Sequence, residues 1–412
     1  MKILVSSINF APDHSGIGVY STDLPIYLAE CGDDVTMVTG FPYYPAWKKR
    51  IEDHGRLFSK EKWHGIQVLR GWLYVPRRVN TLKRLFHEFT FCFFAFMNFA
   101  RAGRHDVVVV FSPPFLLGWV GKFFSLLWCC PLVINVQDLP LDAAASLGMV
   151  RRGWFSKVVS ACELWIYKSA DSVVSISQGM IAVLSSKGIC SKKLALVPNW
   201  IDVQGVSRVS KGQFRACHLE AQGKFIVAYA GNLGMKQGVD SLLHLAKTMA
   251  QDSRFFFFLI GDGADKPRLL SIAEELKLQN TMFLPLLPRE EYLPMLEDVD
   301  IVFVGQRRGA GNNFFPSKLL GVMAQGKPLL VAADLDSELA QSLAKWCCGL
   351  VASPEDIPLL SSHLKRLAGD FVLRESLGSN ARKVVSDFDR GKVLDKWRTQ
   401  ICQLANRINK RP

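Results

Sequence analysis

The sequence predicts an α/β protein made of two doubly wound Rossmann-like domains. Short apolar runs alternate with helical patterns along the 412 residues, and the alternation starts again after about residue 205. Several strand-to-helix turns are rich in glycine. Strands that alternate with helices form parallel sheets covered on both faces. A chain of this length is also too long for one ordinary core.

The first half carries its elements in a regular order. Strands are predicted at 3–8, 35–40, 106–111 and 131–136. A glycine loop and a helix to about Glu30 follow the first strand, and another helix separates the last two. Short apolar runs bounded by turn residues are typical of buried parallel strands.

The second half repeats the pattern after a linker near residues 199–214. Strands are predicted at 224–231, 254–261, 300–305 and 326–332, with helices between them. The repeated order indicates a second sheet of the same kind.

Charge and cysteine content narrow the function classes. The net charge of +13 suits phosphorylated substrates or an anionic membrane surface. Nucleic acid is not expected as a partner, because zinc-finger, RNA-recognition and basic-zipper patterns are missing. The ten cysteines form no CxxC motif, and the chain opens on a strand pattern rather than a signal peptide, so a reducing cytosolic compartment is expected.

Two apolar stretches raise the question of a membrane. Residues 85–100 are apolar all round from Phe91 to Met97 and have basic residues at both ends. This stretch is shorter than the roughly 20 residues that span a bilayer, so it is either a buried helix or an interfacial one. Residues 115–130 contain Lys122 between two strands and are expected to be a helix that covers the sheet.

Two glycine turns have the composition of phosphate-binding loops. Gly16 and Gly18 follow the first strand and open a helix, where backbone amides favour an anion. In the second half, Gly231, Gly234 and Gly238 surround Lys236 between a strand and a helix. A lysine at such a turn suits phosphate, although a solvated surface lysine is the alternative.

A third turn lies in "VGQRRGAGNNFFPSKLLGVMAQGKPLL", residues 304–330. Its basic and amide or hydroxyl side chains are Arg307, Arg308, Lys318, Asn312, Asn313 and Ser317. All three turns follow strands at their carboxyl ends, the edge at which open parallel sheets bind ligands. We therefore expect a phosphate-bearing ligand between two sheets that face one another.

Signals for metals and nucleophiles are weak. The pairs Asp298/Asp300 and Asp334/Asp336 have DxD spacing, and we interpret both as solvated carboxylates rather than metal ligands. GxSxG and HExxH motifs are absent. Gln137 and Asp138 follow a strand end, where catalytic side chains gather in this architecture, although Asp138 could instead cap a helix.

Several motifs together resemble glycosyltransferase family 4, retaining enzymes of the GT-B fold. They are "LAECGDDVTMVTG", "VPNWIDV", "YAGNLGMKQG", "IGDG" and "PSKLLGVMAQGKP". "INFAPDHSGIGVYSTDL", "PYYPAW", "VQDLPLDAAASLG" and "QRRGAGNNFFPSKL" are similar to its subgroup of colanic-acid and exopolysaccharide transferases. The resemblance runs almost from end to end.

The resemblance implies two GT-B domains facing across a cleft. Residues 1–205 are expected to form the acceptor-binding domain and residues 206–385 the nucleotide-sugar domain. A final helix in 386–412 is expected to pack back on the first domain. The implied reaction moves a sugar from a nucleotide diphosphate sugar to a lipid-linked glycan at the inner face of the plasma membrane. No metal or other cofactor is expected.

The resemblance also assigns roles to residues. Lys236 corresponds to the diphosphate lysine, and Gly16 and Gly18 to the loop that approaches the phosphates. Asp138, Lys236 and Arg308 are the candidate catalytic residues. Gln137 and Asp138 are the candidate contacts to the sugar. The remaining donor candidates are Asn232, Gly234, Arg307, Asn313, Ser317 and Lys318.

The chain departs from the family pattern at four positions. Asn232 stands where an arginine is common, so Arg308 and Lys318 are expected to complete the phosphate grip. Asn313 and Gly321 replace two glutamates, and Gln137 replaces a histidine. The subgroup suggests GDP-fucose as donor. An epimerase or hydrolase of the same fold, or a catalytically idle nucleotide-binding subunit of a membrane assembly, are the alternatives.

Overall fold

The chain forms two compact domains in a computed structural model. The structure describes residues 1–13, 16–44, 46–77, 80–142, 154–206, 211–311, 315–316 and 318–408. The first domain comprises 1–199 with 391–412, and the second comprises 200–390. The first boundary thus lies between Asn199 and Trp200 rather than after 205, and the second lies between Arg390 and Gly391 rather than after 385.

The first domain contains an eight-stranded sheet. Its strands are β1 (Lys2–Ser6), β2 (Asp34–Gly40), β3 (Phe58–Trp63), β4 (Ile66–Gly71), β5 (Val107–Ser112), β6 (Leu132–Val136), β7 (Ser172–Ser175) and β8 (Leu194–Leu196). They lie in the order β3-β4-β2-β1-β5-β6-β7-β8. The predicted parallel pairing holds except at β3, which pairs antiparallel with β4 at one edge. The central strand β5 is buried along its whole length, as expected for a parallel strand covered on both faces.

The helices of the first domain follow the predicted alternation. They are α1 (Ile17–Glu30), α2 (Thr81–Ala102), α3 (Leu116–Trp128), α4 (Trp154–Ser169) and α5 (Gln178–Ser186). Asn80 caps α2 by accepting a hydrogen bond from the backbone N of Lys83, and Ser177 caps α5 in the same way. These side chains satisfy amides that have no partner within their helices.

The second domain contains a six-stranded, wholly parallel sheet. Its strands are β9 (Phe225–Ala230), β10 (Phe255–Ile260), β11 (Thr281–Leu284), β12 (Ile301–Gly305), β13 (Leu329–Ala332) and β14 (Gly349–Ala352). They lie in the order β11-β10-β9-β12-β13-β14. Alternate residues of β9 and β10 enter apolar clusters on opposite faces of the sheet. This explains why the predicted strands read as continuous apolar runs.

Helices cover this second sheet. They are α6 (Gln213–Cys217), α7 (Asp240–Thr248), α8 (Lys266–Glu275), α9 (Arg289–Asp298), α10 (Lys318–Ala324), α11 (Glu338–Trp346), α12 (Ile357–Gly369) and α13 (Phe371–Val385). The last helix of the chain is α14 (Arg390–Ile408).

Helix α14 contacts the first domain from Gly391 onward. The Asp395 carboxylate accepts a hydrogen bond from Tyr27 on α1, and Arg398 lies 3.5 Å from Asp33. Farther along, Gln400 Nε2 donates to Ser172 Oγ at 3.1 Å. Trp397 is 1% exposed, so apolar burial accompanies these polar contacts.

Helices α2 and α3 are each half-buried. On α2, Phe91, Ala95 and Phe99 are buried, whereas Phe93 and Phe96 are 54% and 40% exposed. The stretch from Phe91 to Met97, predicted to be apolar all round, is therefore divided between the core and the surface. Among the described residues, no helix combines the length and hydropathy needed to cross a bilayer.

Candidate active site

Both sheets reverse their strand order at one point. In the first domain β2 lies on one side of β1, and β5, which comes later in the chain, lies on the other side of β1. In the second domain β9 is flanked by β10 and β12 in the same way. Crevices at the carboxyl ends of such strands bind ligands in open α/β sheets. The loop with Gly16 and Gly18 and the loops with Lys236 and Arg307 follow strands at these points.

Glycines let the loops of the second domain pack backbone against backbone. A β-carbon built on Gly261, where φ is +142°, would lie 1.9 Å from the carbonyl oxygen of Gly231. One built on Gly305 would lie 2.4 Å from the carbonyl oxygen of Gln237. Any larger residue at these two positions would force the loops after β9, β10 and β12 apart.

Two predicted donor segments meet through their main chains. The backbone N of Arg307, after β12, donates to the carbonyl oxygen of Lys236, after β9, at 2.9 Å. A β-carbon on Gly238 would lie 3.0 Å from the same Arg307 nitrogen. Residues about 70 positions apart in sequence are thus held together at the strand ends.

Lys318 is the most unusual charged residue of this edge. Its Nζ lies 3.4 Å from the centroid of the Tyr229 ring and approaches Gly231. No acceptor among the described residues reaches this buried nitrogen. Burial lowers the pKa of Lys318 to about 7. An amine without an acceptor in such surroundings is suited to receive an anionic ligand.

Gln237 belongs to the same edge, although sequence reasoning did not select it. Its Oε1 atom is buried and has no donor among the described residues. It lies 2.8 Å from the position of a β-carbon on Gly234, and the Asn232 side chain flanks the same position at 3.1 Å. Its place directly after Lys236 in the glycine turn was the available signal.

Arg308, unlike Lys318, is exposed to solvent. Its Nη1 lies 2.8 Å from a carboxylate oxygen of Glu355, and the two side chains are 70% and 65% exposed. An exposed pair of this kind contributes at most about 1 kcal/mol to stability. The guanidinium can therefore exchange Glu355 for another anion at little cost.

The glycine loop of the first domain combines two roles. Gly16 has φ of +57°, and no atom of the residues that the structure describes lies within 4 Å of the position of a β-carbon there. Gly18 lies in the first turn of α1, and a β-carbon there would lie 2.6 Å from the carbonyl oxygen of Asp13, so packing of the helix against the preceding loop is enough to require Gly18. Among the described residues, space for a ligand is therefore left beside Gly16 rather than Gly18.

Gln137 and Asp138 follow β6 at the same edge of the first sheet. The backbone N of Gln137 donates to the carbonyl oxygen of Ser112 at the end of β5, at 2.9 Å. Gln137 is 7% exposed and Asp138 is partly buried. The segment just after β6 is thereby fixed beside β5, next to the point where the strand order reverses.

Asp13 is a carboxylate that sequence reasoning passed over. It is 6% exposed, and Asn9 Nδ2 donates to it at 3.3 Å. Burial raises its pKa to about 6, against the smaller opposing effects of Asn9, Arg70 and Arg50. Its position in the loop between β1 and α1 was the signal that could have identified it.

The two DxD pairs are not alike, and the first was wrongly interpreted as solvated. Asp298 is 6% exposed, and its carboxylate accepts hydrogen bonds from the backbone N of Gly212, Phe214 and Arg215. Asp300 pairs with the Arg215 guanidinium at 2.7 Å. Both carboxylates anchor α6 against the sheet. The described residues contain no group of three or more potential metal ligands.

Comparison with known proteins agrees with this architecture. The sequence pattern of the Glycosyl transferase 4-like domain matches residues 15–200, and that of Glycosyl transferases group 1 matches residues 210–384. WcaI of Escherichia coli (strain K12), a glycosyl transferase named for colanic acid biosynthesis, is 30% identical over 89% of this chain and 92% of its own length.

The chain belongs to the family 4-like glycosyltransferases. Solved structures show that this glycosyltransferase has the GT-B fold. Sucrose-phosphate synthase from Thermosynechococcus elongatus superposes with a TM-score of 0.77 at 19% identity, over 98% of both chains. HepE of Anabaena, solved in complex with UDP and glucose, gives 0.74 at 16% identity, over 98% of this chain and 100% of its own. The predicted family and fold class are both confirmed.

One of the family's two glutamate positions lies in the described part of this glycosyltransferase. Gly321 lies on α10, and a β-carbon there would meet only Ile201 Cδ1, at 3.9 Å, among the described atoms. Packing against the described residues therefore does not impose glycine at 321. Asn313, its counterpart eight positions earlier, lies outside the described residues, as do Asn312 and Ser317.

Proposed function

We propose that this glycosyltransferase moves a sugar, with retention of configuration, from a nucleotide diphosphate sugar to a lipid-linked glycan. The process is exopolysaccharide assembly, as in the name of its colanic-acid relative. GDP-fucose is the candidate donor, and the site of action is the cytoplasmic face of the plasma membrane. Support for a nucleotide ligand comes also from HepE, a protein of the same fold solved with UDP and glucose.

The main structural support for this proposal is the buried amine of Lys318. Breakage of the bond between sugar and phosphate leaves negative charge on the diphosphate. Under the proposal, Lys318, Lys236 and Arg308 neutralise that charge, since preorganised cations at a developing anion supply a large part of catalysis. The backbone amides around Gly234 complete the phosphate-binding site in place of the arginine that is common in the family at the position of Asn232.

The acceptor and the transferred sugar are assigned to the first domain. Gly16 approaches the phosphates, and Gln137 and Asp138 contact the sugar. Retention follows from attack on the face that the diphosphate leaves, with a phosphate oxygen taking the acceptor proton. This route requires neither an enzymatic nucleophile nor a protein base.

Lys236→Ala and Arg308→Ala should each weaken donor binding without unfolding the protein. Each variant loses a charge-assisted contact, which typically contributes about 1.5–3 kcal/mol. Calorimetric titration with GDP and UDP measures the effect, and Lys345→Ala is the control because Lys345 is exposed elsewhere in the second domain. Unchanged donor affinity in both variants would refute their assignment to the phosphate grip.

Activity should survive EDTA. Under the proposal the basic side chains perform the charge neutralisation that a divalent cation performs in other enzymes. Sugar release and transfer are measured with and without chelator. Complete loss that magnesium or manganese restores would contradict the expectation.

A donor screen followed by a transfer assay tests the function itself. Nucleotide sugars that bind the native state raise the melting temperature. The best donor is then incubated with a membrane extract that contains lipid-linked glycans. Transfer supports the proposal, donor hydrolysis or epimerisation without acceptor supports the enzymatic alternative, and binding without turnover supports an idle subunit.

A further inference from the structure

Three helices of the first domain lie side by side and share one exposed face. The rings of Phe96 on α2 and Phe123 on α3 are 5.2 Å apart. The rings of Trp119 on α3 and Trp165 on α4 stack at 4.3 Å with an angle of 9° between their planes. The exposed side chains of α2, α3 and α4 are thus continuous from one helix to the next.

This face is apolar to an extent that packing inside the domain does not explain. Its members are all large apolar side chains that are at least 37% exposed. They are Leu82, Leu85, Phe86, Phe89, Phe93, Phe96, Met97, Trp119, Phe123, Leu126, Leu127, Trp154, Val158 and Trp165. Isolated apolar residues are normal on surfaces, whereas a connected set marks a binding surface. We call this set the aromatic face.

The charges on the three helices have one sign wherever they reach solvent. Exposed basic residues are Lys83, Arg84, Arg101, Lys157 and Lys168. The two acidic residues of these helices face inward: Glu88 pairs with Arg84 at 3.1 Å, and the Glu163 side chain is 2% exposed. Arg101 places its guanidinium 4.6 Å from the Phe58 ring. The aromatic face therefore has a basic border without exposed carboxylates on its own helices.

We propose that the aromatic face lies in the interface of an anionic lipid bilayer. The aromatic face would then be the surface that contacts the membrane containing the lipid-linked acceptor, so this proposal rests on the proposed function. Tryptophan and phenylalanine favour the boundary between headgroups and acyl chains, and lysine and arginine extend from it toward lipid phosphates. A protein partner fits less well, because lysine is depleted at protein interfaces.

The surface differs from one amphipathic helix in a way that can be measured. Contacts with lipid from α3 and α4 add to those of α2, so changes on α3 alone should weaken attachment. Phe123 and Leu127 are 51% and 63% exposed, and polar residues there should leave the fold intact. Leu219 and Phe371 of the second domain, 70% and 64% exposed, provide a matched control pair.

The test is flotation of the full chain with vesicles at low salt. Vesicles of phosphatidylcholine with phosphatidylglycerol are compared with vesicles of phosphatidylcholine alone. Wild type should float with the anionic vesicles only, and added salt should release it. Phe123→Ser combined with Leu127→Ser should reduce the bound fraction by about tenfold. Leu219→Ser combined with Phe371→Ser should bind like wild type.

A charge-reversal variant tests the electrostatic contribution to membrane binding separately. Glutamate at Lys83, Arg101 and Arg104 should also release the protein while its melting temperature stays near that of wild type. Arg84 is left unchanged because it pairs with Glu88. Failure of wild type to bind anionic vesicles overturns the inference, and so does a dimer in solution that the Phe123/Leu127 variant dissociates. Donor binding is measured in parallel. A protein that binds donor but not vesicles loses only this inference, whereas one that binds vesicles without turnover loses the proposed function.

Discussion

Lys318→Met should raise the stability of the protein and abolish its affinity for a nucleotide diphosphate. The wild-type amine is buried without an acceptor among the described residues, so its burial lowers the free energy of unfolding. Methionine has a similar length and no charge. Its introduction should stabilise the second domain by on the order of 3 kcal/mol at neutral pH.

The pH dependence has a definite sign. The folded pKa of Lys318 is lowered to about 7 from an ordinary value of 10.5. Below about pH 7 the Lys318 amine is protonated in both the folded and the unfolded state, so the free-energy cost of burying its charge is fully present. Between about pH 7 and 10.5 the unfolded state binds more protons, so wild-type stability from this group rises with pH. The methionine variant should lack this rise.

Chemical denaturation across this pH range and titration with GDP and UDP check both halves of the prediction. Lys327→Met is the matched control, because Lys327 Nζ donates to the carbonyl oxygens of Glu297 and Val299 at 2.7 and 3.0 Å. That variant should be destabilised and should keep donor affinity. A Lys318→Met protein that is less stable than wild type, or binds nucleotides equally well, would contradict the assigned role.

Asp298→Ala should destabilise the second domain by about 3 kcal/mol or more. Its carboxylate accepts three backbone hydrogen bonds from the segment that contains α6, and alanine would leave those donors without it. Each buried donor left unsatisfied costs about 1–3 kcal/mol. If Asp298 were a metal ligand instead, its loss would change metal dependence rather than stability.

Thermal and urea unfolding measure the change, with Asp336→Ala as control. Asp336 belongs to the other DxD pair and is exposed, so its replacement should alter stability by less than about 0.5 kcal/mol. Equal stability of the two variants would show that Asp298 does not anchor α6.

Sequence alone determined the α/β architecture because interior strands are buried on both faces. Strands such as β5 and β10 therefore appear as unbroken apolar runs. Edge strands gave no such signal: β3 carries exposed polar residues, and β11 is only partly buried along its length. Both were missed for that reason, and with β3 the antiparallel pairing. The edge strands β8 and β14 and the interior strands β4 and β7 were also not predicted; β4 has partly exposed residues along its length, and β7 is only four residues long.

The sequence also identified which residue types gather at strand ends, since glycine and basic residues in three turns can be seen without coordinates. It could not decide which of them is buried. Lys318 and Arg308 are both basic residues of the same turn in the sequence. In the structure the Lys318 amine lies over the Tyr229 ring inside the domain, whereas the Arg308 side chain pairs with Glu355 in solvent. Burial, and with it the pKa, depends on neighbours that are distant in the chain.

The same limit applies to Asp298 and to α2. A DxD spacing says nothing about whether backbone amides from residues 212–215 will reach the carboxylate, because that contact joins segments more than 80 positions apart. An apolar helix likewise does not reveal which side the sheet covers. Tertiary structure alone decided that Phe91 is inside, that Phe93 is outside, and that α3 and α4 continue the exposed face, because only packing determines which apolar groups remain in contact with water.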